Sequence, residues 1–489
     1  MAKKTVFITG ATGNMGWAGF REIYRKKDRF DIRLLARPSR VNRKKLRPYL
    51  NDPCVSIVWG DLMEYEDVLK GVTGADFVLH VGGMVSPMAD YYPDKTLKVN
   101  INSAKNIVRA IKAQPNADEI GLVYIGSVAQ CGDRLTPVHW GRTGDPVYAS
   151  MYDKYSVSKC EAERIVVDSG LKKWVSLRQS GILYTGILKQ INPIAFHVPL
   201  AGVLEWATIE DSGRVLANVI EDSVPEEFWN RFYNIGSGRE YRMNNYDFMS
   251  RMLTALGLPS VEKVFEPQWF ATRNFHGMWY EDGQVLEDYL HFRGNVPLVD
   301  YFLSMKRQLP WYYSLAFVVP ASIMKKIVKP FAFAEKLGTQ WWVKNDPDKV
   351  EMYYGSIENY NNIKSWDDVR PVSLENNLKK ALAKGDVVTL DHGFDESKSI
   401  YELSAEELEK AAEFRGGKFL GPKESLGQKG TLYEWECEHG HKFKASLEYV
   451  LLGGGWCSHC PLDSVQVSTT RANKFMYQIL DVFHKFDAQ

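Results

Sequence analysis

"TVFITGATGNMGWAG", Thr5 to Gly19, sets an apolar, β-branched run directly before Gly10, Gly13 and Gly16, and a helix-forming segment directly after them. A GxxGxxG spacing at a strand-to-helix junction permits a tight turn, close approach of a pyrophosphate to the backbone, and close packing of helix on strand. The helix N-terminus then offers unpaired N–H groups to phosphate. The same spacing also serves a ligand-free strand-to-helix turn, so the rest of the chain must decide between the two.

Working outward, "DIRLLAR", "VSIVWGD", "DFVLHVGG", "GLVYIGS" and "WVSLRQSG" read as further strands separated by amphipathic segments. That alternation predicts an α/β fold, a Rossmann-like doubly wound parallel sheet whose ligands sit at the carboxyl ends of the strands. From 182 to 385 the alternation becomes irregular and aromatic residues crowd in: Trp269, Phe270, Phe275, Trp279, Tyr280, Trp311, Tyr312 and Tyr313. This region reads as a smaller substrate-binding part, its aromatics serving either as core or as the wall of a site for a bulky apolar or ring-containing ketone. Residues 386–415 read as a linker and a short helix, with Ser404 and Glu407 as its capping box. A small C-terminal zinc-binding module and a terminal helix, "RANKFMYQILDVFHKF", are expected over 416–489.

The balance of 61 basic and 60 acidic residues over 489 gives no global attraction to nucleic acid or membrane. The start of the chain has no apolar h-region, and the most apolar stretch, Ser314 to Met324, is too short for a transmembrane segment. It could instead touch a membrane surface or form a packed helix pair. These features predict a cytoplasmic protein. Its six cysteines form no disulfide framework.

The second strand ends at Arg37, where a dinucleotide lacking a 2′-phosphate would usually meet a carboxylate. An arginine there favours NADP, with Arg40 or Arg43 able to add to the field. The YxxxK pattern occurs three times, from Tyr91, Tyr155 and Tyr360. A working pair needs a helix to bring i and i+4 to one face; Pro93 interrupts the first copy, and Asn361 and Asn362 make the third loop-like. Tyr155 and Lys159 remain.

In this order, "TGATGNMG", "GDL", "LHVGG", "VNINSAKNIV", "YIGSVAQCGD", "YSVSKCEAE", "LRQSGILYTG" and "YNIGSGREYRMNNYDF" resemble the extended short-chain dehydrogenase/reductase family over about residues 3–385. The likeness is nearest to the branch of 3β-hydroxysteroid dehydrogenases and dihydroflavonol reductases. The resemblance implies Ser127, Tyr155 and Lys159 as catalytic residues. It also implies a cofactor set of Gly10, Thr12, Gly13, Asn14, Met15, Gly16, Arg37, Asp61, Leu62, Val81, Gly82, Tyr155 and Lys159. Tyr155 would pass a proton to or from a substrate oxygen, Lys159 would depress the Tyr155 pKa and hold the nicotinamide ribose, and Ser127 would orient the carbonyl. Asn100 would act structurally or in positioning the cofactor, with no chemical role. The implied activity is NADP(H)-dependent interconversion of a carbonyl and an alcohol in a homodimer paired through helices that include the one carrying Tyr155. Val128 and Ala129 replace the acidic pair that dehydratases of this family carry, which disfavours elimination. A nucleotide-sugar epimerase on the same fold and a non-enzymatic NADPH-sensing adaptor are the alternatives.

"WECEHGHKFKASLEYVLLGGGWCSHC" supplies Cys437, His441, Cys457 and Cys460. A C-x3-H knuckle and a C-x2-C knuckle fifteen residues later make a closed tetrahedral zinc site with no open catalytic position. His439 and His459 are spare donors. The stretch 416–462 resembles treble-clef zinc ribbons. Its interleaved Lys and Glu give little phosphate-binding signal, so a structural role is expected.

Overall fold

Seven parallel strands make one sheet in the computed structural model, which describes residues 3–134, 139–150, 153–189, 191–313, 319–369, 389–422, 424 and 426–460. The strands are β1 (Lys4–Thr9), β2 (Phe30–Ala36), β3 (Val55–Trp59), β4 (Phe77–His80), β5 (Gly121–Ser127), β6 (Trp174–Gln179) and β7 (Arg231–Ile235), in the order β7-β6-β5-β4-β1-β2-β3. The order reverses between β1 and β4, the crevice where such sheets take ligands. The first six strands are those expected from the apolar runs. β7 is an addition: "RFYNI" is short and lies in the irregular region, and its pairing with β6 becomes apparent only in three dimensions.

Side chains alternate across the sheet. Val6 and Ile8 of β1 enter a core with α1 (Asn14–Tyr24) and α4 (Ile209–Asn218). Phe7 enters the opposite core with α2 (Pro93–Lys112) and α3 (Lys154–Val167). The C-terminal module packs onto this second face. Its α5 (Ala405–Phe414) starts at the expected capping box, Ser404 N donating to Glu407 Oε2 at 3.0 Å, and β8 (Lys418–Phe419), β9 (Leu432–Glu436) and β10 (Lys442–Ser446) form an antiparallel sheet. Leu408, Trp435, Tyr449 and Val450 of the module share one apolar cluster with Ala162, Val166, Trp174 and Phe232. A buried side chain of this size contributes about 1.5–3 kcal/mol, so the sheet's last strands gain from the module the cover that a helix layer would otherwise provide. On α3 Lys154 alone is exposed, and Ala162 and Val166 share an apolar cluster with the module.

Of the aromatics weighed for a substrate pocket, Trp269 and Phe270 lie in a core with Phe196 and Val328, and Tyr280 is buried beside Val128 and Met278. Trp311 and Tyr312 are exposed. The expected terminal helix at 471–486, and Ser314 to Phe317 with Val318, lie outside the described residues. No helix among the described residues is long and apolar enough to cross a membrane.

Candidate active site and metal centre

β1 delivers its chain to Gly10 at φ +67°, and Gly13 N donates to Gly10 O at 2.9 Å to close the turn. A Cβ on Gly16 would lie 2.3 Å from Gly10 O, and one on Gly10 would lie 2.7 Å from Gly82 Cα. Glycine is therefore required at both places, which brings the β4 exit against the β1 loop. Gly13 caps α1 with no side-chain hydrogen bond and no acidic residue follows in the first turn, so the helix keeps its N–H groups for an anion. This cradle fits a dinucleotide phosphate. Thr12, Asn14 and Met15 lie in or just after the turn, while Leu62 and Val81 border Gly82 and the β4 exit.

Arg37 is exposed at the end of β2, and its carbonyl accepts from Asn42 Nδ2 at 2.9 Å. Arg43 instead stacks over the Trp59 ring. The cation that reaches the glycine loop is Lys45, whose Nζ donates to Thr12 O at 2.9 Å above the Trp17 ring. It was not singled out from the sequence, where it is one of several cations in "RVNRKK". Asp61 accepts from Met63 N at 3.0 Å and so shapes its own turn. A cleft of about 210 Å³ runs from Gly13, Asn14 and Trp17 to Tyr184, Glu210 and Tyr301.

The β5 end and α3 bring Ser127, Tyr155 and Lys159 together. Ser127 Oγ accepts from Ala129 N at 3.2 Å and lies beside the half-buried Tyr155. Burial pushes Tyr155 up to about 12, the nearby Ser127 hydroxyl pulls against it, and Asp153 and Asp90 add to the rise. The depression by Lys159 expected from the i, i+4 spacing is not what the geometry gives. Lys159 Nζ donates to Ile125 O at 2.9 Å, and burial lowers it to about 8 against the raising charge of Glu163. Asn100 Oδ1 accepts from Met84 N at 2.8 Å and Nδ2 donates to Ser158 Oγ at 2.8 Å, tying the β4 exit to α3.

His80 stands at the end of β4, 3.0 Å from Thr9 Oγ1 through Nδ1, and Thr9 Oγ1 also accepts from Gly82 N at 3.0 Å. Burial, with the Lys159 charge second, pushes it down to about 3, so it is a neutral spacer under the glycine loop. Two further groups escaped the sequence reading. Asp90 is half-buried with one carboxylate oxygen unpartnered, and burial raises it to about 6. Glu163, one turn beyond Lys159 on the same helix face, could have been found from the spacing; it accepts from Gln130 Nε2 at 2.8 Å and Arg178 Nη2 at 2.7 Å. Of the other YxxxK copies, Tyr91 and Lys95 fall on separate helices, and Tyr360 lies in a helix that ends at Asn362, before Lys364.

In the module, Gly440 at φ +78° turns the β9–β10 connection and Cys437 N donates to His441 O at 3.0 Å. The donor atoms of Cys437, His441, Cys457 and Cys460 all lie within 4.8 Å of one another. Cys437 Sγ is 3.7 Å from Cys460 Sγ, and His441 Nδ1 is 3.4 to 3.7 Å from the three sulfurs. A tetrahedron with metal–sulfur bonds of ~2.3 Å and a metal–nitrogen bond of ~2.0 Å has edges of about 3.8 Å (S–S) and 3.5 Å (S–N), so this cluster could hold a metal without rearrangement. His459 Nδ1 lies 3.8 Å from Cys457 Sγ, beside the set and outside it.

Residues 7–192 match the 3-beta hydroxysteroid dehydrogenase/isomerase family. Among curated proteins, a Rickettsia bellii UDP-glucose 4-epimerase is 31% identical over 111 residues, and a Campylobacter jejuni UDP-N-acetylglucosamine 4,6-dehydratase (inverting) is 28% identical over 109. Each match covers 22% of this chain and 32% of the relative, so the chain spans about a third of the length of these relatives. Among solved structures, a Bacillus anthracis dTDP-glucose 4,6-dehydratase in complex with NAD superposes with a TM-score of 0.50 at 13% identity, over 64% of this chain and 97% of that one, a likeness of fold. Through residues 7–192, less than half of its length, the chain is similar to the 3-beta hydroxysteroid dehydrogenase/isomerase family.

Proposed function

We propose that the protein is an NAD(P)-dependent oxidoreductase that interconverts a carbonyl and an alcohol. The observation that carries this reading is the convergence of Ser127 and Tyr155, one helical turn from Lys159, at the strand ends that face the glycine loop. The dinucleotide, when bound, supplies or accepts hydride. Tyr155 holds its proton far above neutrality and so serves as the acid that protonates a nascent alkoxide. Ser127 orients the carbonyl oxygen toward that proton, and Lys159 keeps a positive charge behind Tyr155 below about pH 8.

Arg37 and Lys45 support NADP over NAD, because two cations beside the loop can meet a 2′-phosphate through charge-assisted hydrogen bonds. The substrate class in this reading is a bulky apolar or ring-containing ketone. Zinc is the metal that three thiolates and one imidazole at tetrahedral spacing select, in a structural site. Residues 1–385 would form the dehydrogenase part and 416–489 the zinc module. A cytoplasmic location and a homodimer paired through helices that include α3 complete the reading.

The names of the curated relatives favour a second reading, nucleotide-sugar epimerisation on the same site. Incubation with NADPH and a panel of ketones, aldehydes and UDP-sugars separates them. Net NADPH oxidation supports the first reading, and epimer formation without net oxidation supports the second.

A further inference from the structure

Away from the cleft, the densest buried polar construction among the described residues is the seam where the module's Gly453, Gly454 and Gly455 lie against the back of the catalytic loops. Gly454 has φ +69°, and a Cβ there would stand 1.8 Å from Asp145 O, so backbone touches backbone with no room for a side chain. Gly454 O accepts from Val147 N at 2.8 Å and from Arg415 Nη2 at 2.8 Å. Next to it, Gly453 O accepts from Arg178 Nη2 at 2.6 Å.

Two routes run from these carbonyls to Ser127. In the first, Arg178 pairs with Glu163 at 2.7 Å, Glu163 accepts from Gln130 Nε2 at 2.8 Å, and Gln130 Oε1 accepts from Ser127 N at 2.8 Å. In the second, Val147 leads to Tyr148, whose N–H donates to Gln130 O at 3.0 Å. Arg178, Glu163, Gln130 and Ser127 are all buried, so water cannot replace a lost partner. On the module side the glycine run ends two residues before Cys457, one of the cluster's donors.

We propose that the metal centre is a positioning device for the active site: closing Cys437, His441, Cys457 and Cys460 around zinc fixes the Gly453–Gly455 backbone, which holds Ser127 at the end of β5 for Tyr155. The proposal rests on the reading of those residues as a zinc site. Arg178, Glu163 and Gln130 are positioning residues in it; none is needed to touch substrate. Losing the metal frees the second knuckle, and the buried chain passes that freedom to the β5 end as local opening.

The test is amide hydrogen exchange on the full chain, with zinc measured in the same samples. Chelation should raise exchange by at least about tenfold over 121–132 and 144–150 while 4–36 stays unchanged, and added zinc should restore it. His441→Cys, which keeps a tetrahedral donor set, should retain protection where His441→Ala loses it. Gly454→Ala should keep its zinc and its NADPH affinity yet show the same rise, a pattern that general unfolding does not produce. Wild-type protection over 121–132 in the zinc-free chain, or in zinc-bound Gly454→Ala, overturns the proposal. A chain that takes up no zinc at all overturns the metal reading beneath it, a result distinguishable from the other two.

Discussion

Replacing Arg178 with methionine removes one partner of the most deeply buried ion pair behind the active site. The Arg178 and Glu163 side chains are 6% and 1% exposed, and the guanidinium donates to both carboxylate oxygens, from Nε at 3.1 Å and from Nη2 at 2.7 Å. In Arg178→Met the Glu163 carboxylate stays buried with two neutral donors, Gln130 Nε2 and Ser176 Oγ. Leaving a buried charge without its partner costs about 3–5 kcal/mol, and the orphaned Gly453 carbonyl adds about 1 kcal/mol. Removing the charge as well, in Arg178→Met with Glu163→Gln, should recover roughly 2 kcal/mol, since the penalty is mainly that of the uncompensated carboxylate. Urea unfolding followed by tryptophan emission is a suitable assay, with Trp174 and Trp435 in the shared core as reporters. A loss below about 1 kcal/mol for Arg178→Met, the range of an exposed pair, would refute the reasoning, as would a double variant no more stable than the single one.

Three other outcomes follow from the site. Arg37→Ser together with Lys45→Met should weaken NADPH binding by roughly 10–100-fold and leave NADH nearly unchanged, as fluorescence titration would register. Gly16→Ala, whose Cβ would stand 2.3 Å from Gly10 O, should cost at least about tenfold in dinucleotide affinity; unaltered binding would mean that the loop can shift freely. The rate of carbonyl reduction should be level near neutrality and fall as pH rises through about 8, where Lys159 gives up its proton, and Lys159→Arg should abolish that fall.

Much of this was legible because apolar runs and glycine spacing are local. The first six sheet strands and the Ser404 cap follow from short windows of sequence, and Pro93 alone separates one accidental YxxxK copy from the Tyr155 copy. What spacing does not encode is direction. Tyr155 and Lys159 share a helix face, yet the ammonium turns to the Ile125 carbonyl, and Tyr155 is governed by burial and by Ser127. Lys45 reads as one cation in a basic run until the chain folds back to Thr12. Three glycines before Cys457 resemble a flexible spacer; only their contacts, Gly453 with Phe232, Gly454 with Asp145 and Gly455 with Tyr449, show that they are required to be small. The module's docking on β6 and β7 was hidden for the same reason, because its apolar residues are sufficient for a small core of their own and nothing in their order names the partner surface.

The central claim, that Tyr155 carries proton transfer in a dinucleotide-dependent carbonyl reduction, meets its most direct test in NADPH oxidation measured for wild type and Tyr155→Phe across one ketone and aldehyde panel, with NADPH affinity determined for both. The account predicts that Tyr155→Phe binds NADPH as wild type does and loses at least about a hundredfold in turnover on every substrate that wild type reduces. Equal turnover by the two proteins would contradict it.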